Sequence, residues 1–180
     1  MQNEDIPSGA DSSEQNLNRA GAPGPTVTVP DGPYRIYTAL SSSTPMVVNM
    51  ATAQEANQTY KVRLTYEAET LSTWTFIYNT ARSHYRIHNF SPLVLGRATT
   101  DIDDVVGVSA EEGAPEQLTQ FWVLKDAGPG IYYIESVYDG RLIEVKNAST
   151  ANNTNIIVAP YTAATKQRFR LERVRPTLAE

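Results

Sequence analysis

The groups that could carry catalysis in this chain are few. The two histidines, His84 and His88, stand four residues apart in one strand-like run and would share a face about two pleats apart. A zinc ion held there would want a third ligand nearby, and the sequence suggests none. Asp101, Asp103 and Asp104 resemble a calcium loop only loosely, since the glycine and the closing bidentate glutamate are missing from their expected offsets. No serine nucleophile elbow and no phosphate-cradling glycine loop is present. Paired carboxylates for glycoside cleavage would need a separation that only the fold sets. The chain has no cysteine, which excludes disulfides, thiolate metal sites and a thiol nucleophile. The inventory points to a protein that binds and does not catalyse, with no cofactor and no metal.

Charge narrows the partners. The net charge is −5, whereas a nucleic-acid footprint needs lysine and arginine clustered on one face. The densest basic group, Arg168, Arg170, Arg173 and Arg175, is interleaved with Phe169, Leu171 and Val174, which reads as the solvent side of a strand. No nucleic-acid partner is expected. No apolar stretch is long enough to span a membrane as a helix. The first residues lack a basic region followed by an apolar run, so the expected location is cytoplasmic, or outside the cell by release without a signal peptide.

The elements that must position any site are strands. Residues 1–30 are polar, contain Gly and Pro, and have too few large apolar side chains to offset the entropy of ordering, so a flexible leader is expected there. From Asp31 onward, short β-branched and aromatic runs alternate with Gly, Pro, Asn and Ser clusters. The best helical candidate, Thr52 to Tyr60, is short. An internal period organises the runs. Trp74, Trp122 and Phe169 lie 48 and 47 residues apart, each inside alternating apolar residues. Tyrosine two residues before isoleucine opens each unit, at Tyr34 and Ile36, Tyr85 and Ile87, and Tyr132 and Ile134. Two further apolar runs lie between each opener and its closing aromatic. Units that cannot bury their apolar faces alone must pack on their copies. The expected fold is all-β: a β-trefoil, three four-strand repeats with pseudo-threefold symmetry, closed so that edge strands disappear. The repeats fall at about 32–78, 83–126 and 130–174 in a domain spanning 31–175, with 176–180 as a tail. The closing aromatics and Ile36, Ile87 and Ile134 are expected in the core.

These residues carry a resemblance. Gln120-Phe121-Trp122 matches the "QxW" signature of ricin B-type lectin domains, with Gln167-Arg168-Phe169 an altered copy and Ser72-Thr73-Trp74 a degraded one. In the third unit, Asp139-Gly140-Arg141-Leu142-Ile143-Glu144-Val145, the Ser149 to Thr154 turn, Ile156-Ile157-Val158 and Gln167 resemble the family pattern over their whole length. In active repeats of such lectins an aspartate accepts hydrogen bonds from two sugar hydroxyls, an aromatic stacks on the pyranose, and an Asn or Gln completes the rim. Carried over, this implies Glu144 in place of the aspartate, Asn147, Asn152 and Asn153 on the neighbouring turn, Tyr161 as platform, and Lys166 beside Gln167. Glu reaches one methylene further than Asp, and Lys donates without accepting. At the carboxylate position the first unit has Asn49 and the second Gly96 or Arg97.

The resemblance implies a lectin for galactose- or N-acetylgalactosamine-type glycans, taking glycans or glycoproteins as partners through a shallow, weak site, strengthened by several repeats or a homodimer. It resembles the Cys-free cytosolic trefoil lectins of mushrooms. Alternatives on the same scaffold are a protease inhibitor acting through exposed loops, with Ala51 to Thr59, Glu67 to Ser72 and Asp101 to Thr119 the long ones, or the receptor-binding component of a toxin.

Overall fold

Short runs rich in β-branched and aromatic side chains form thirteen strands among the described residues, 22–66, 70–98, 101–111 and 117–175, of a computed structural model. They are β1 (Thr26–Val27), β2 (Gly32–Thr38), β3 (Met46–Gln54), β4 (Tyr60–Tyr66), β5 (Trp74–Asn79), β6 (His84–His88) and β7 (Leu93–Arg97). These are followed by β8 (Val105–Ser109), β9 (Trp122–Gly128), β10 (Ile131–Ser136), β11 (Leu142–Val145), β12 (Thr154–Ala159) and β13 (Phe169–Arg173). The segment around Thr52 is strand and turn, not helix: β3 continues to Gln54, and Glu55 N donates to Thr59 O at 2.8 Å to close the hairpin.

Six strands pair in a closed ring, β2–β5–β6–β9–β10–β13, and β13 returns to β2 through the register Phe169↔Thr38 to Arg173↔Tyr34. The other strands form the hairpins β3–β4, β7–β8 and β11–β12. These meet one another through β4–β8, β12–β4 and the bridge Asp104↔Ile157. Ring closure satisfies the backbone groups that an open sheet would leave as a sticky edge.

Trp74, Trp122 and Phe169 are fully buried beside Ile36, Ile87 and Ile134. Both indoles also satisfy their N–H: Trp74 Nε1 donates to Val48 O at 2.8 Å, and Trp122 Nε1 to Leu95 O at 2.9 Å. Phe169 has no such donor, so the third copy of this contact is apolar only.

One expectation changes. The domain begins before Asp31: Thr26 and Val27 pair with Lys125 and Leu124 of β9, Val29 N donates to the Tyr85 hydroxyl, and that hydroxyl donates back to Val29 O, both at 2.8 Å. Two valines, Val27 and Val29, pack on the core and supply apolar burial that the polar composition of the leader had concealed. Residues 1–21 and 176–180, and parts of the Glu67 to Ser72 and Asp101 to Thr119 loops, lie outside the described residues. His84 is buried and stacked on the Phe121 ring with centroids 4.2 Å apart. No helix of the described residues is long and apolar enough to cross a membrane.

Candidate functional site

The third unit brings together three of the seven residues implied by the resemblance. Glu144 occupies β11 between Ile143 and Val145, and its carboxylate is drawn inward until the residue is only 4% exposed. A carboxylate buried to that degree requires partners on both oxygens. Oε1 accepts from Gln167 Nε2 at 3.0 Å, and Oε2 lies 3.0 Å from Lys166 Nζ. The Gln167 amide is itself fully engaged: Nε2 donates also to Pro160 O at 2.8 Å, while Oε1 accepts from Thr162 N at 2.9 Å. Gln167 is therefore a structural tie that holds the 160–167 loop to β11, not a rim residue. Lys166, partly exposed, is the charged edge of the network.

The asparagines divide. Asn147 is exposed in the turn Lys146–Ala148, with φ 56°, and this turn packs against the turn carrying Lys166. Asn152 and Asn153 do not join the Glu144 network; they form the exposed tip of the β11–β12 hairpin. Asn153 is committed to β4: its N donates to Leu64 O at 2.8 Å, its Oδ1 accepts from Arg63 Nη1 at 3.0 Å, and its O accepts from Lys61 Nζ at 3.2 Å. Tyr161 is not an open platform either. It is half-buried and meets Tyr133 edge-on, at 5.5 Å and 87°. Burial and the Tyr133 hydroxyl hold its phenol protonated above the ordinary tyrosine range.

The corresponding places in the other units show what has changed. In the first, Asn49 Nδ2 donates to Ser72 Oγ at 2.9 Å, the pairing that Glu144 makes with Gln167. In the second the place belongs to Gly96, since a Cβ there would lie 3.5 Å from Gln120 Cγ and 2.7 Å from Val108 Cγ1. Gln120 turns instead to Ser109 O and Glu111 N, both at 3.1 Å. One slot thus holds an amide, nothing and a carboxylate in turn. Replacing Gln167 with alanine should cost about 2 kcal/mol, because a buried carboxylate oxygen and the Thr162 N–H both lose a partner. Urea unfolding of the variant checks this.

Arg97, the other residue considered for the second unit, points elsewhere. Its side chain has no solvent exposure, and Nη1 meets Asp139 Oδ1 at 2.6 Å and Ser136 Oγ at 3.3 Å. Nε donates to Ile102 O at 2.6 Å. Arg141 joins through Asp103 and Asp139, and Tyr138, 54% exposed, lies over the Arg97 guanidinium. Nothing in the spacing of Arg97, Asp103 and Asp139 announced this clamp, which is made between two units. Burial alone would raise the Asp139 carboxyl, but the Arg97 hydrogen bond, the Arg141 N–H and the two guanidinium charges outweigh it and hold it below its ordinary range. A carboxyl lowered in the folded state stabilises above its unfolded value, about 3.9, and that contribution disappears as pH falls through the folded value. Stability measured by denaturant between pH 6 and 2.5 should therefore fall less steeply in Asp139→Asn than in the unmodified protein.

With a closed six-strand ring, three hairpins and this recurring slot in place, the class is defined: the profile of ricin-type beta-trefoil lectin domain-like proteins matches residues 70–159, half of the chain, and the chain belongs to that family. Solved structures agree on the fold. The designed 3-fold symmetric protein ThreeFoil superimposes with a TM-score of 0.65 at 22% identity, covering 80% of this chain and 100% of ThreeFoil. The Rhizoctonia solani agglutinin gives 0.64 at 16%, covering 82% and 99%, and a proteinase inhibitor from Coprinopsis cinerea gives 0.65 at 11%, covering 82% and 100%. At such identities the likeness is one of fold. No curated protein matches the chain.

Proposed function

We propose that this chain is a carbohydrate-binding module, non-enzymatic, made of three four-strand units, and that its third unit holds galactose- or N-acetylgalactosamine-type termini of glycans. The observation that carries this reading is the slot shared by Asn49, Gly96 and Glu144. Only Glu144 offers a carboxylate there, with the Lys166 ammonium 3.0 Å away at the surface edge and Asn147 exposed on the adjoining turn. Ammonium, amide and carboxylate oxygen can exchange hydrogen bonds with neighbouring hydroxyls of one pyranose. Because Glu144 is recessed and Tyr161 leans on Tyr133, the sugar is held chiefly by hydrogen bonds, and single-site affinity is low. Several glycans on one surface, or two copies of the chain, would raise it through effective concentration.

A glycan array comparing the unmodified protein with Glu144→Ala tests the reading. Binding to galactose-type termini should fall at least tenfold in the variant, about 1.4 kcal/mol or more, the scale of one charge-assisted hydrogen bond. Silence of the folded protein on every glycan would overturn it in favour of protease inhibition. That second reading has one observation behind it: Phe90 is 66% exposed on a turn pinned by Leu93 N to Phe90 O at 2.6 Å and by Asn89 Nδ2 to Leu71 O at 2.9 Å. Such a turn offers an apolar anchor to a partner's pocket.

A further inference from the structure

We propose that the cleft between the leader and the β9–β10 turn is a second carbohydrate site, one that takes an uncharged pyranose. It lies at the end of the ring away from the three hairpins, and so away from Glu144 on β11. Its volume is about 450 Å³, within the range of about 300–1,000 Å³ usual for small-molecule sites. Val27 and Thr28 of the leader and the turn from Gly128 to Gly130 line it, together with Asp126 and Tyr132.

Comparison of the three units explains why the cleft opens where it does. The opening tyrosines Tyr34, Tyr85 and Tyr132 stand directly opposite Arg173, Tyr78 and Asp126 on the neighbouring ring strands, and residues paired in this way share a face. The next pair on the face of Asp126 and Tyr132 is Leu124 and Ile134, both fully buried, so these two side chains lie on the inner face at the barrel's rim. Arg173 covers the Tyr34 ring at 5.7 Å, and Tyr78 packs on Tyr85 with centroids 4.9 Å apart. The leader then takes both hydroxyls: Tyr34 donates to Pro30 O at 2.6 Å, and Tyr85 exchanges hydrogen bonds with Val29 N and O. At Tyr132 the opposing residue is a short carboxylate, which the negative face of an aromatic ring repels. The Tyr132 hydroxyl makes no hydrogen bond among the described residues, and the side chain is half-buried where Tyr34 and Tyr85 are enclosed.

The groups left in the cleft select the ligand. Asp126 Oδ1 accepts from Gly128 N at 2.9 Å, which orients the carboxylate and leaves its remaining acceptor capacity for ligand hydroxyls. The Tyr132 and Thr28 hydroxyls both donate and accept, so three side chains offer the mixed set of partners that adjacent hydroxyls on one sugar require. Val27, Pro129 and the Tyr132 ring supply apolar surface for the C–H face of a pyranose. An acidic ligand is disfavoured: no lysine or arginine is among the lining residues, and Lys125 lies on the opposite face, donating to Thr26 Oγ1 at 2.8 Å. An ammonium ligand would use the exposed carboxylate alone, and an exposed ion pair contributes little. Gly128, at φ +126°, and Gly130, at φ +69°, hold the turn in conformations that favour glycine, and a Cβ at either would meet nothing within 4 Å, so the approach stays unobstructed. This site and the one at Glu144 share no residue, so either can exist without the other.

Titration of the isotope-labelled full chain with methyl β-galactoside, methyl α-glucoside and methyl α-mannoside, followed by NMR, tests the proposal. At least one glycoside should shift the amide signals of Gly128 and Gly130. Asp126→Asn, which keeps an acceptor for Gly128 N but removes the charge, should weaken that binding about tenfold, and Tyr132→Phe and Thr28→Val about three- to fivefold each. Thr28 is exposed, so its variant tests the site even if a change at Tyr132 disturbs the barrel, which the spectrum itself would reveal. Glu144→Ala should leave the response at the two glycines unchanged, while the signals of Asn147 and Lys166 report separately on the site in the third unit. Silence at Gly128 and Gly130 with all three glycosides overturns the proposal, whatever happens at Asn147. Unchanged binding in Asp126→Asn overturns it too, as does methylammonium or glycerol binding there as tightly as the glycoside.

Discussion

Asp139→Ala should destabilise the domain by about 3 kcal/mol, the lower end of what removing one partner of a buried ion pair costs. The substitution strands Arg97. Its side chain is wholly enclosed, Nη2 makes no hydrogen bond among the described residues, and the next carboxylate, Asp103, is 3.7 Å from Nη2. That carboxylate is half-exposed and moderates the loss without replacing a 2.6 Å contact. Arg97→Met should be milder, about 1 to 2 kcal/mol, because it removes the buried charge while filling most of the space and leaves Asp139 able to reach water. The double variant should then be no less stable than Arg97→Met alone. Urea unfolding of the two single variants and the pair gives the coupling directly. If Asp139→Ala proves no worse than Arg97→Met, the clamp contributes nothing beyond packing.

The second large effect belongs to Trp122. Truncation to alanine should cost about 4 kcal/mol, since a fully buried indole leaves a cavity at the centre of a close-packed core and Leu95 O loses its donor. For a domain of this size that is a large share of the total stability. Trp122→Phe is the informative companion. Phe169 already occupies the corresponding place in the third unit, so the architecture accommodates a single ring, and the cost should fall to about 1 to 2 kcal/mol for lost area and the carbonyl left unpaired. Thermal unfolding followed by calorimetry distinguishes the two. Equal losses would mean that the indole N–H, not the ring volume, carries the contact.

The fold was legible because the side chains that bury most area recur at a fixed interval. Tryptophan or phenylalanine at a spacing of 47 to 48, and tyrosine two before isoleucine, mark positions where burial is obligatory, and burial is what the structure shows at Trp74, Trp122, Phe169, Ile36, Ile87 and Ile134. Strand β1 was not legible, because two residues carry no periodicity and their partners on β9 lie almost a hundred positions away. The site was legible in part. Glu144 stood out by analogy with an aspartate, and Lys166 and Gln167 by their adjacency to the aromatic. How deeply the carboxylate sits, and that Gln167 has no valence left for a ligand, depend on the 160–167 loop folding back, which spacing does not encode. Asn153 looked equivalent to Asn147 in sequence, yet it is claimed by Arg63 of another hairpin. Arg168, Arg170, Arg173 and Arg175 alternated as a solvent-facing strand should; that two of them, Arg173 and Arg175, line one cleft with Arg35 depends on a strand partner distant in sequence.

Ring closure through β2 and β13 has a consequence for how the chain is made. Thr38 finds its partner at Phe169, 131 positions later. A ribosome adding about 5 to 20 residues per second would finish that stretch in roughly 7 to 26 s. Throughout that interval β2 waits with one flank unpaired, and the ring cannot close until β13 has been made. Protection of that flank during synthesis, by a chaperone or by the growing chain itself, is therefore a requirement of the topology.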